Sequence, residues 1–172
     1  MKIRNLFLNN YNERTINDVF AQYNIDSSEV TAEMSLNWEQ VKEMSRHPNV
    51  TIASHTSNHN CLKYLTTEQI KEDIIGSVKR LESQIQKKVE HFSYPFGQKQ
   101  NGNREFAILK ELGFKTATTT RFANIFPEHW EHRCSLPRIY QLDRIPLVKY
   151  LDVVCSGALS VLIYRFRKIV AS

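Results

Sequence analysis

Apolar and polar residues along this chain follow two periods, and the change from one to the other marks its elements. Leu36 and Val41 flank Asn37 and Gln40 as a hydrophobic staple flanks a capping box, so a helix is predicted to start at Trp38. Leu65, Thr66, Gln69 and Ile70 repeat the arrangement, and Ile70, Ile74, Val78, Leu81 and Ile85 continue it as an apolar stripe at helical spacing. A second helix is therefore predicted over about 67–86. Between these helices the β-branched and small-residue run Val50 to Ser54 reads as a short strand. Two further strands are predicted, Glu90 to Tyr94 and Lys115 to Thr120, separated by a helix from Asn103 to Leu112 that Gly113 ends.

This βαβαβ rhythm predicts an α/β domain with a parallel sheet and ligand-carrying loops at the carboxyl ends of its strands. Residues Arg121 to Arg133 read as an aromatic loop, in which the acidic neighbours of His129 and His132 suggest a solvated segment. Pro146 to Lys168 reads as a helix, with proline in its first turn and cations at its end. Its uncharged run, Val153 to Tyr164, falls well short of the ~20 residues that span a bilayer. Two roles stay open for it: a helix packed on the domain, or an interfacial helix in peripheral membrane contact through Arg165, Arg167 and Lys168.

Composition narrows the class. At 172 residues, 41% hydrophobic and 24% charged, the chain suits one domain with a real core. A net charge of +5 permits anionic partners, but the basic residues are spread among acids, which speaks for a solvated surface and against a specific nucleic-acid site. Three cysteines without C-x-x-C spacing do not make a disulfide framework, and the N-terminus has too short an apolar run for a signal peptide. Both slightly favour a reducing, cytoplasmic setting and leave localisation unknown.

Candidate chemistry sits at the predicted strand ends. His55-Thr56-Ser57-Asn58-His59 places two imidazoles four residues apart, each able to offer a neutral nitrogen to a divalent metal. Phe92-Ser93-Tyr94-Pro95-Phe96-Gly97 reads as a strand broken by proline into a sharp turn that can expose a backbone N–H. Leu136-Pro137-Arg138-Ile139 is a third such word.

In this order and spacing the three words resemble those of the polysaccharide deacetylase family, the NodB-homology domain of the family-four carbohydrate esterases. The passage Lys110 to Ala117 also resembles the family's helix-to-strand connection, and the resemblance covers roughly residues 34 to 145. It implies a distorted (β/α) barrel, here partial, and metal-dependent removal of acetyl groups from N-acetylated sugars, with zinc the expected ion. It implies His55 and His59 as metal ligands, Thr56 as the hydroxyl that fixes their loop, and the backbone N–H of Phe96 as an oxyanion donor. Thr56, Tyr94, Pro95 and Trp130 are the implied substrate contacts, with Trp130 open to a second reading as an anchor of its loop to the core.

The departures from the pattern are specific. The family's paired aspartates, one a metal ligand and its neighbour the catalytic base, have no counterpart, because Asp18, Asp26, Asp73, Asp143 and Asp152 all stand alone. Ser93 stands where an arginine that orients the base is common. Arg138 stands at the general-acid position, and an arginine does not give up its proton near neutral pH. The expectation is a deacetylase-like domain over 1–145, incomplete at its N-terminus, with a C-terminal amphipathic helix over 146–172 packed on or beside it. Impaired deacetylation is its expected activity; a non-catalytic remnant that binds glycan or a partner protein is the alternative. A missing first strand would leave a sheet edge to be covered by Met1 to Tyr23 or by a second copy in a homodimer.

Overall fold

Reciprocal capping starts the two helices that frame the structure. The computed structural model describes residues 13–96, 101–139, 147–158 and 163. In it Asn37 Oδ1 accepts from the Gln40 amide and Gln40 Oε1 from the Asn37 amide, both at 2.9 Å, and helix Trp38–Arg46 follows. Thr66 and Gln69 do the same for helix Thr67–Ile85. Two earlier helices, Glu13–Gln22 and Ser27–Met34, were not legible in the apolar pattern; the second is opened by Asp26, whose carboxylate takes the Ser28 amide at 2.8 Å. In chain order the helices are α1 (Glu13–Gln22), α2 (Ser27–Met34), α3 (Trp38–Arg46), α4 (Thr67–Ile85), α5 (Asn103–Glu111) and α6 (Leu147–Cys155).

Strands β1 (His91–Ser93), β2 (Thr116–Phe122) and β3 (Leu136–Arg138) pair in that order, all parallel. Parallel neighbours need a crossover, and α5 supplies it between β1 and β2. Its start is fixed by Glu105, which accepts the Gly102 amide at 2.7 Å, and its end by Gly113 at φ +82°. Leu62, Ile70, Ile74, Phe92, Tyr94, Ile108, Leu109 and Ala117 form the core between α4, α5 and the sheet. The expected α/β class and parallel sheet are present, and the described strands form an open sheet.

Three expectations are corrected. The strand over Val50 to Ser54 contracts to one bridging residue: Ser54 pairs with Phe92, donating to His91 O at 3.0 Å and accepting from the Ser93 amide at 2.9 Å. Thr51 and Ala53 are exposed, and among the described residues no strand lies on their far side to extend a ladder. Of the loop expected over Arg121 to Arg133, β2 takes the first two residues and a kinked 3₁₀ segment, Pro127–Ser135, takes most of the rest. The C-terminal helix is broken after Cys155, at Gly157 with φ +78°; Ala158 and Ile163 are again helical, and the rest of its expected length lies outside the described residues. Arg165, Arg167, Lys168, Gly97 and residues 1–12 lie outside the described residues, so the edge-covering expected of Met1 to Tyr23 does too, in its first half. Among the described residues no helix is long and apolar enough to cross a membrane.

Candidate metal and oxyanion site

Because the sheet is parallel, every strand delivers its carboxyl end to the same side, where ligands of such sheets bind. Ser54 anchors the histidine loop there: it is fully buried, and its hydroxyl lies 2.9 Å from that of Ser77 on α4. The chain then turns through two left-handed residues, Thr56 at φ +70° and His59 at φ +51°. Such a backbone costs roughly 1–2 kcal/mol per non-glycine residue, so it persists only where neighbours hold it. Thr56 Oγ1 accepts the His59 amide at 3.0 Å. Asp73 Oδ1, reaching across from α4, accepts the amides of Ser57 at 2.8 Å and Asn58 at 3.3 Å.

The loop brings the two imidazoles together, with ring centroids 4.9 Å apart. His55 Nδ1 lies 2.6 Å from the carbonyl oxygen of Ser93, an acceptor, so in the neutral ring the proton sits on Nδ1 and Nε2 is the nitrogen open to a metal. Partial burial, and then the nearby His55, push the pKa of His59 below its usual value and favour the neutral ring. Both imidazoles are thus prepared as nitrogen donors. The Phe96 ring packs on His59 at 4.8 Å, and Phe96 is itself left-handed, at φ +65°. Its N–H makes no hydrogen bond to a described residue.

The remaining expected residues divide. Tyr94 and Pro95 are buried, not presented to a ligand; Tyr94 donates its hydroxyl to Cys134 O at 2.8 Å, and Pro95 O accepts from Asn101 at 3.3 Å. They hold the turn that presents Phe96. Arg138 is exposed at the carboxyl end of β3, level with Phe122 of β2, and so shares the side of the sheet that carries the histidines. Trp130 lies on the 3₁₀ segment between β2 and β3. It is 68% exposed, with the Arg133 guanidinium 4.7 Å from its ring, and lines a groove of about 240 Å³ along α5 with Phe106, Lys110 and Phe114. His129, expected in a solvated segment, is 1% exposed and accepts the Phe126 amide at 2.9 Å.

Asp73 is the residue the sequence reading passed over. Its signal was present: a carboxylate on the apolar face of α4, between Ile70 and Ile74. For a metal, the residues present fit two of the ligands a divalent ion takes. Among the described residues no third His, Cys, Asp or Glu completes a cluster, whereas catalytic zinc sites use three protein ligands.

A family profile described as polysaccharide deacetylase matches residues 10–117, more than half of the chain. Among solved structures, the Streptococcus pyogenes deacetylase PplD in complex with acetate superposes at TM-score 0.62 and 23% identity, over 73% of this chain and 54% of that one. A polysaccharide deacetylase from Bacillus cereus gives TM-score 0.60 at 22% identity, over 70% of this chain and 37% of that one. IcaB from Ammonifex degensii gives 0.52 at 22%, over 62% and 48%. At these identities the likeness is one of fold. The chain spans about half the length of the S. pyogenes protein and less of the B. cereus one. Comparison with curated proteins gives no match.

Proposed function

Since this chain belongs to the polysaccharide deacetylase family, we propose that the carboxyl end of its sheet is a site for N-acetylated sugars whose chemistry is hydrolytic removal of the acetyl group. One observation carries the reading: two imidazoles with centroids 4.9 Å apart, one fixed through Nδ1 by Ser93 O and the other held toward neutrality, beside the N–H of a left-handed Phe96. His55 and His59 are the residues that would hold a divalent ion, with zinc the best match to nitrogen donors. Such an ion supplies Lewis acidity to an acyl oxygen and to water. The residues of the chain itself do the rest. Ser93 O orients His55, Thr56 fixes the loop, and the Phe96 N–H offers a hydrogen bond to an oxygen that gains negative charge. Arg138, at the same end, offers a fixed positive charge and bidentate donors, which suit binding a substrate oxygen and not protonating a leaving group.

The missing carboxylate sets the level of activity. Loss of a general base typically lowers the rate about 10²–10⁴-fold, and a ligand set short by one weakens metal binding as well. Low turnover on N-acetylated oligosaccharides is the expected behaviour. The second reading, a glycan-binding domain without catalysis, draws on the same lack of a third described ligand. We propose residues 1–145 as the site domain. Helix α6 packs against it through Tyr150 and Val154, which are 4% and 0% exposed.

Calorimetric zinc titration and acetate release test these readings. The expected result is weak zinc binding that His55→Ala or His59→Ala abolishes, with little acetate released from chitooligosaccharides. Equal zinc affinity in the wild type and both variants would remove the metal site. Robust metal-dependent turnover would refute the argument from the missing carboxylate, and glycan binding with no acetate release would select the second reading.

A further inference from the structure

Ile70 and Ile74 are fully buried, and the same face of α4 presents Asp73, only 8% exposed. A carboxylate in such a place is costly unless it is paired. Among the described residues no lysine or arginine forms an ion pair with it, and its Oδ2 is buried without a hydrogen-bond partner. Every hydrogen bond its side chain makes goes to one loop. Oδ1 accepts from the amides of Ser57 and Asn58 at 2.8 and 3.3 Å and from Asn58 Nδ2 at 3.2 Å, and the backbone oxygen of Asp73 accepts from Ser57 Oγ at 3.4 Å. Ser57 and Asn58 are the two residues between Thr56 and His59, the loop's left-handed pair.

We propose that Asp73 is the positioning residue of the histidine pair: it gathers two consecutive amides onto one oxygen and so holds the backbone shape that turns His55 and His59 toward a common point. It makes no hydrogen bond to either imidazole and acts through Ser57 and Asn58 alone. Released from it, Thr56 and His59 lose a restraint on a conformation that non-glycine residues leave readily, and the rings part. The stability given up by burying an unpaired acid on an apolar face is the mark of a residue kept for a site. The link to zinc rests on the metal reading above; the hold on the imidazoles does not.

Three variants of the full chain decide it. Asp73→Leu fills similar volume with no acceptor, Asp73→Asn keeps an acceptor oxygen in place, and Asp73→Glu keeps the charge but moves it by a methylene. Zinc affinity, melting temperature in chelator and the metal-free NMR signals of the His55 and His59 rings are read for each. Asp73→Leu is expected to lose about tenfold or more in zinc affinity and to shift both ring signals, without a matching loss of melting temperature. Asp73→Asn recovers most of both readouts. Wild-type zinc affinity and unshifted ring signals in Asp73→Leu overturn the proposal. Should that variant not fold, the same result in Asp73→Glu overturns it, and a loss there despite the retained charge upholds it. Failure of the metal reading looks different: zinc affinity is then insensitive to His55→Ala, while the Asp73 variants still shift the ring signals and the positioning role stands.

Discussion

Tyr94 carries its hydroxyl into the core and donates it to the carbonyl of Cys134, joining the exit of β1 to the 3₁₀ segment before β3. Burial, followed by the nearby Cys134 and Glu105, pushes its pKa far above the ordinary 10.0. The folded state thus keeps the proton where the unfolded chain releases it. The stability linked to this group is fully present below pH 10.0 and is lost as pH climbs from there toward the folded value. Ultraviolet titration is expected to show a tyrosine that ionises only with unfolding. Tyr94→Phe should abolish that signature and lower stability by about 1 kcal/mol in urea unfolding, because the Cys134 carbonyl loses its donor. At this scale the meeting of His55, Thr56 and His59 was legible, since all three stand within five consecutive letters. The place of Tyr94 was not, because its partner lies far along the chain and only folding brings the two together.

Between residue and fold, two glycines on neighbouring helices make opposite predictions. Gly113 ends α5 at φ +82°, and a Cβ added there would meet nothing within 4 Å, so Gly113→Ala carries a conformational cost alone, about 1 kcal/mol of destabilisation. Gly76 lies inside α4, where an added Cβ would meet only Ser57 Oγ at an ordinary 3.8 Å. Gly76→Ala should stabilise by about 0.5–1 kcal/mol. Thermal melts of the two variants check the pair of signs. The elements with a complete local code were read to within a residue or so: α3 at its capping-box start, and at both ends α4 with its capping box and α5 with its terminal glycine. The strand expected at Val50 was not, because β-branched residues mark a chain suited to a ladder while the ladder itself needs a partner that the local sequence does not name.

For the whole molecule the open point is the sheet edge at Ser54. One bridge to Phe92 secures it, and among the described residues nothing pairs with the preceding Thr51 to Ala53 in a ladder. Unpaired backbone of this kind is a template for a further strand. We expect the amides of Ser54 and Ser93, both hydrogen-bonded across the bridge, to exchange slowly, and those of Ile52 and Ala53 quickly in dilute solution. If a second copy covers the edge, exchange at Ile52 and Ala53 slows as light scattering reports association; a monomer at every concentration removes the homodimer. The α/β class and the parallel sheet followed from the alternation of periods, whereas the extent of the sheet did not, since closure depends on pairings between distant segments. The sheet also sets where light is emitted. Trp38 lies under Arg80 at 5.5 Å and Trp130 beside Arg133 at 4.7 Å, and neither ring belongs to the stack of His55, His59 and Phe96. Indole emission answers to its immediate surroundings, so a sugar whose binding is seen by calorimetry at the histidines is expected to leave the intrinsic fluorescence of this protein almost unchanged, because no indole stands in that stack.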